Sequence, residues 1–127
     1  MVRGRLLAES LKLGVRLTVR DVRVVHLFRE DVSDSVSATQ PSVWTFLDFE
    51  APDERADELA AALAGSLLAE GGWYADFQTE DRHFVVFADR VFAYVKGDRA
   101  GRDEAAAYGR SVGVPEHQLD WEDDQQA

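Results

Sequence analysis

Cysteine is absent from this chain of 127 residues. The absence excludes a disulfide framework, a thiol nucleophile and a zinc–thiolate cluster. Long apolar runs are missing too, since no segment approaches the roughly 20 residues of a membrane-spanning helix. The first residues also lack the apolar core of a secretory signal. We therefore expect a soluble, cytoplasmic protein that does not contact a membrane.

Lysine is scarce, with two lysines against twelve arginines, and the charge is unevenly distributed. The net charge is −10; residues 1–30 hold seven basic and three acidic side chains (7 − 3 = +4), whereas residues 31–127 hold seven and twenty-one (7 − 21 = −14). Nucleic-acid backbones are bound by dense positive charge, so we expect no nucleic-acid partner. The basic start can instead pair with the acidic remainder, within one chain or across a dimer.

The composition, 46% apolar and 10% aromatic, is that of a folded globule. The length allows one domain with a core of its own, so residues 1–127 are predicted to form a single domain. We expect only the acidic tail at 122–127 to fray.

Strands are predicted where apolar residues alternate with polar ones or where β-branched residues cluster. These segments are 11–19, 22–29, 43–50 and three stretches between 73 and 96. Residues 5–11 fit either a strand or a short helix. Residues 31–42, rich in Ser and Asp, are predicted to form a loop.

Two helices are predicted, at 52–70 and at 99–112, and Asp98 is a natural N-cap for the second. Leu119 and Trp121 are expected to anchor the chain beyond it. Strands and helices do not alternate as in parallel βαβ units. The order therefore predicts an α+β fold, a mostly antiparallel sheet of about five strands with two main helices on one face, ferredoxin-like in spirit.

Residues 71–98 hold seven of the thirteen aromatic side chains. Two-residue turns at Glu80-Asp81 and Asp89-Arg90 would fold them into three strands that present two faces. One face is wholly apolar and should lie under the helices: Trp73, Ala75, Phe77, Phe84, Val86, Ala88, Val91, Ala93 and Val95. The other is amphipathic: Tyr74, Asp76, Gln78, His83, Val85, Phe87, Phe92, Tyr94 and Lys96. The strand at 43–50 repeats this division, with Trp44, Phe46, Asp48 and Glu50 on one side.

Two functions fit the amphipathic face. The first is non-enzymatic protein–protein contact, a homodimer formed through Tyr74, Phe87, Phe92, Tyr94, Trp44 and Phe46. The second is a small-ligand-binding protein or a hydrolase, in which Asp76, His83 and the Asp48–Glu50 pair orient the ligand. A concavity lined by Tyr74 and Tyr94 would favour the second function, and a covered flat face the first.

Each candidate group also has a plainer interpretation. His83 can be an oriented base beside Asp76 or an exposed histidine on a sheet. Arg99 and Arg102 can bind an anion at a helix N-terminus, unless Asp98 caps it. The histidines are too scattered for a metal motif such as HExxH, so we expect no metal and no cofactor.

Four segments carry a resemblance: AESL at 8–11, QPSVWTF at 40–46, GGWYADF at 71–77 and QLDW at 118–121. In these segments the chain resembles small uncharacterised single-domain proteins of GC-rich bacteria. The resemblance implies a self-contained bacterial domain. It implies no activity and no functional residues.

Overall fold

The computed structural model of the protein describes residues 1–36, 38–119 and 121. The predicted frayed tail at 122–127 lies outside the described residues. The strands and helices, in chain order, are β1 (Val2–Leu7), β2 (Arg23–Asp31), β3 (Val43–Ala51), α1 (Ala56–Ala64), β4 (Ala75–Gln78), β5 (Arg82–Phe87), β6 (Arg90–Val95) and α2 (Arg99–Ser111). No helix among the described residues is long and apolar enough to cross a membrane.

The six strands form one sheet in the order β2-β3-β1-β4-β5-β6, and each neighbouring pair is antiparallel. The predicted α+β class and antiparallel sheet are therefore confirmed, with six strands rather than about five. Because β1 lies between β3 and β4, these two strands are parallel to each other. The β3–α1–β4 connection thus passes over β1 as a split βαβ unit.

The two helices cover different faces of the sheet. On the first face, α1 packs through Leu59 and Leu63 on a core that includes Phe49, Phe77 and Phe84. On the second face, α2 packs through three small residues over a cluster of one valine and three aromatic residues. The small residues are Ala105, Ala106 and Gly109, and the residues beneath them are Val85, Phe87, Phe92 and Tyr94. The prediction that both helices share one face is wrong, and a ferredoxin-like arrangement is not confirmed. Both faces of the sheet carry an apolar cluster, and each of these clusters is covered by one of the two helices.

This division of the helices leaves part of the first face open. Val91, Ala93 and Val95 of β6 were predicted to lie under a helix, but all three are exposed because α2 lies on the opposite face. Trp73 also departs from the prediction. It precedes β4 and packs against Trp44, with ring centroids 5.6 Å apart, on the second face.

The predicted pairing of the central strands is confirmed for β4 and β5, where Phe77 lies opposite Phe84. The next turn contains Ala88 and Asp89 rather than Asp89 and Arg90. Asp89 takes a positive φ of 59° there, a conformation that Asp tolerates well. The change shifts the pairing of β6 with β5 by two residues. Because side chains alternate between faces with a period of two, each side chain keeps its predicted face.

Residues 11–19 were predicted to form a strand, but they lie outside the sheet. Both edges of β1 are occupied, by β3 and β4, so no edge beside it remains for this segment. Leu17 and Val19 instead pack on the first-face core, whereas Leu13 is fully exposed. The alternation therefore marks an extended strap across the core. The undecided segment 5–11 contains the end of β1 and a 3-10 turn, Ala8–Ser10.

The helix predicted at 52–70 is shorter than expected and ends at Ala64. Past that point, the chain turns back to bond with residues 10–12. The Leu68 amide donates to the Ser10 carbonyl at 2.8 Å, and the Lys12 amide donates to the Ser66 carbonyl at 2.9 Å. The second helix matches its prediction, and the Asp98 side chain caps it by accepting a bond from the Gly101 amide.

Candidate functional site

On the second face, the buried side chain of His83 contacts the carboxylate of Asp76. His83 on β5 is only 2% exposed, and its Nε2 lies 3.0 Å from Oδ2 of Asp76 on β4. On the other side of the ring, Nδ1 lies 3.4 Å from the hydroxyl of Tyr94. A neutral ring protonated on Nε2 would donate to Asp76 and accept from Tyr94. His83 is therefore a buried support for Asp76 and not an exposed sheet histidine.

The Asp48–Glu50 pair, proposed as an acid–base pair, is engaged by basic residues from the start of the chain. Arg5 holds Asp48 with two hydrogen bonds, of 2.6 and 3.1 Å. Glu50 contacts Arg23 at 2.9 Å and Arg3 at 3.6 Å. The hydrogen bond from Arg5 lowers the pKa of Asp48, outweighing the effect of burial. The basic start thus pairs with the acidic remainder within one chain.

A cavity of about 170 Å³ lies on the second face beside Asp76. Its walls are largely aromatic, and its polar groups come from β1, β4 and the C-terminal segment. The lining residues are Arg5, Leu7, Trp44, Phe46, Gly72, Trp73, Tyr74, Asp76 and Gln118. Aromatic walls with a few convergent polar groups are typical of small-molecule sites.

Hydrogen bonds between distant loops fix one side of this cavity. The hydroxyl of Tyr74 donates to the Gln118 carbonyl at 2.7 Å. The side-chain amide of Gln118 in turn donates to the Ser35 carbonyl at 2.5 Å, and Gln40 donates to the Gly71 carbonyl at 2.9 Å. The cavity is therefore built by tertiary contacts, which hold its aromatic walls in place.

Trp44, which lines this cavity, carries an unsatisfied donor. The side chain is more than nine-tenths buried, and its indole N–H has no hydrogen-bond partner in the described part of the chain. A buried donor without a partner costs about 1–3 kcal/mol. The indole nitrogen itself has almost no accessible surface, so a ligand in the cavity would contact the ring of Trp44 rather than this N–H.

The order of groups beside the cavity differs from that of a catalytic triad. Asp76 faces the cavity, while both ring nitrogens of His83 are engaged by Asp76 and Tyr94. A catalytic triad has the reverse order, with the imidazole facing the nucleophile. None of the described lining residues is a Ser, Thr, Cys or Lys that could act as a nucleophile.

The remaining predicted residues lie away from the cavity. Phe87, Phe92 and Tyr94 are buried under α2 and the C-terminal segment, where Leu119 and Trp121 anchor the chain as predicted. A homodimer through these aromatic rings would require that cover to be removed. Gln78 faces a wide, charged depression further along the sheet. Only Tyr74, Asp76, Trp44 and Phe46 of the predicted set line the cavity itself.

Sequence reasoning missed Arg5, Trp73 and Gln118. A signal for Arg5 was present, because Val2, Gly4 and Leu6 alternate with Arg3, Arg5 and Leu7 as in a strand. That pattern would have placed Arg5 on the side of Asp48. No local pattern could have found Trp73 or Gln118, since each reaches the cavity from outside the sheet.

The other candidate sites are weaker. At the start of α2 the Asp98 carboxylate occupies the position of the proposed anion, and Arg102 donates to the Trp121 carbonyl at 2.6 Å. Among the described residues, no group of three or more His, Cys, Asp or Glu side chains could hold a metal ion. A larger cavity of about 310 Å³ under the strap is lined by apolar residues, so it offers a ligand no polar side chain.

In comparisons with protein families, characterised proteins and solved structures, none matches this chain. The assignment of the site therefore rests on its own geometry.

Proposed function

We propose that this domain binds a small, positively charged or zwitterionic organic molecule in the cavity beside Asp76. The observation that carries the proposal is a carboxylate set among aromatic walls. Aromatic rings attract cations through their electron-rich faces, and a carboxylate adds a direct ionic contact. An ammonium group would sit near Asp76, against the aromatic walls that include Trp44 and Phe46.

The charges around the cavity support a cationic ligand. The guanidinium of Arg5 is matched by its two bonds to Asp48, and it also lies over the ring of Phe46, with Cζ 5.0 Å from the centroid. Asp76 lies opposite Arg5 in the β1–β4 pairing and attracts its guanidinium, but the two hydrogen bonds of Arg5 go to Asp48 rather than to Asp76. The size of the cavity limits the ligand to a few heavy atoms, because drug-sized ligands occupy about 300–1,000 Å³.

The test is a thermal-shift and calorimetric screen of small probes that differ in charge. Tetramethylammonium and glycine betaine represent the cationic and zwitterionic classes, and acetate represents anions. We expect the first two to raise the melting temperature and acetate to leave it unchanged. Asp76→Asn should weaken binding by about tenfold or more, since it removes the ionic contact with the ammonium group and about 1.4 kcal/mol of lost binding free energy is already tenfold.

The matched control is Asp57→Asn, which removes the same charge from an exposed position on α1. This variant should bind the probes like the wild type. Equal loss in both variants would show a general effect of net charge, and that result would contradict a site at Asp76. Absence of binding by every cationic and zwitterionic probe would contradict the proposed function.

A further inference from the structure

β2 is a nine-residue strand at one edge of the sheet, bonded to β3 along one side. Among the described residues, no other strand lies beside its outer edge. Protein edges of this kind are usually short, or are protected by proline, by charged side chains (lysine above all) or by a β-bulge. β2 has charged residues and one bulge but neither proline nor lysine, and it exposes Val24, Val25 and Leu27, the last with 63% of its surface accessible.

The charges along β2 are arranged in a self-complementary way. Arg23 stands at its start, and Glu30 and Asp31 stand at its end; Arg29 beside them lies on the first face, where it donates to Thr45. Two antiparallel copies would therefore bring the basic end of each against the acidic end of the other. Opposite charges on facing strands stabilise the pairing, whereas a parallel arrangement would oppose like charges.

We propose that two copies of this chain pair through β2, antiparallel and centred on Leu27, so that the two sheets join into one. A two-fold axis perpendicular to the sheet keeps every side chain on its own face, as an isologous dimer requires. Leu27 then meets the partner's Leu27, and His26 meets the partner's Phe28. The surface is distinct from the aromatic face predicted from the sequence, which α2 covers.

The bulge in β2 fits this register. Val25 has no partner in β3, because the pairing shifts between Val24 and His26. If Val25 also has no opposite residue in the partner's β2, Arg23 lies opposite the partner's Glu30. Both residues share the face of Asp48 and Glu50, so their side chains can meet.

The first test measures the mass of the full chain by sedimentation velocity over a wide concentration range. The wild type should form dimers, and Leu27→Asp should raise the dimer dissociation constant by about tenfold or more by placing two carboxylates face to face. Val95→Asp is the matched control, because Val95 is 60% exposed on the opposite edge strand. It should dimerise like the wild type. A monomeric wild type, or equal effects of the two substitutions, overturns the proposal.

The second test exchanges the charges. Arg23→Glu and Glu30→Arg should each weaken the dimer, and the double variant should recover most of the affinity. Arg23 also contacts Glu50 within the chain, so the thermal unfolding of each variant is measured alongside. Recovery in the double variant is expected only if residues 23 and 30 meet across the axis. A double variant that is weaker than both single ones overturns the antiparallel pairing.

Discussion

Nε2 of His83 lies 3.0 Å from Oδ2 of Asp76, and this contact links a fully buried ring to a carboxylate on the cavity wall. The same ring reaches the hydroxyl of Tyr94 through its other nitrogen. His83 therefore fixes the carboxylate from inside the core. The ligand-binding proposal depends on this support, because a carboxylate orients a ligand only when it is itself held.

Replacing His83 with Ala should destabilise the domain by about 2–4 kcal/mol, because the change leaves a cavity and unpaired polar groups. Urea unfolding measures the difference. His26 provides the control: it contacts Asp48 at 3.4 Å from an exposed position, and exposed pairs contribute about 0–1 kcal/mol. Similar losses for His83→Ala and His26→Ala would contradict the structural role given to His83.

The Arg5–Asp48 pair predicts a defined dependence of stability on pH. The hydrogen bond from Arg5 holds the pKa of Asp48 below its ordinary value of 3.8. A carboxyl with a lowered folded pKa stabilises the fold above its ordinary value, and this contribution is lost as the pH falls through the folded pKa. Asp48→Asn should therefore lose less stability than the wild type on acidification below that value. Urea unfolding at a series of pH values measures both curves, and parallel curves would contradict the prediction.

Gly4 in β1 is predicted to tolerate no side chain. A Cβ there would clash with the Cβ of Phe77 and lie 2.7 Å from Cζ of Phe49. Overpacking of this kind costs about 1–3 kcal/mol, so Gly4→Ala should lower the free energy of unfolding by that amount. Gly65→Ala is the control, because its nearest neighbour would be 3.7 Å away and its φ is negative. It should change stability by less than about 1 kcal/mol.

The strap at 11–19 is tested by two leucines of opposite exposure. Leu17 packs on the first-face core, whereas Leu13 is fully exposed. Leu17→Ser should destabilise the fold by about 1–2 kcal/mol, because its side chain is partly buried. Leu13→Ser should change stability by less than about 0.5 kcal/mol. Equal effects would mean that the strap does not cover the core as described.

Local patterns predicted much of this fold because local chemistry determines it. The β4–β5 pairing, the helix at 99–112 and its Asp98 cap follow from alternation, periodicity and capping near each residue. The faces of the β5–β6 hairpin were also correct although its turn was misplaced. The two-residue error in register preserves the alternation of the pleat, so Phe92 kept its predicted face.

The errors concern competition between distant segments. Residues 11–19 have the pattern of a strand, but β3 and β4 already occupy both edges of β1. The helices were assigned to one face because the sequence does not show how much of the second face each segment covers. The cavity could be predicted only in part for the same reason. Asp76 lies in β4 and Tyr74 directly precedes that strand, so a local pattern could place both. Gln118 is instead held at the cavity by its hydrogen bond to Ser35, which is far away in the sequence.

The most direct test of the ligand site is the indole N–H of Trp44 in solution. The chain has three tryptophans, and Trp→Phe variants assign their three indole signals in a ¹⁵N–¹H correlation spectrum. Trp121 is the internal control, because its indole N–H is also buried without a partner among the described residues, but Trp121 does not line the cavity. We predict that glycine betaine shifts the Trp44 signal in a saturable way and moves the Trp121 signal less. A Trp44 signal that stays unchanged throughout the titration with each cationic and zwitterionic probe would contradict the proposed site.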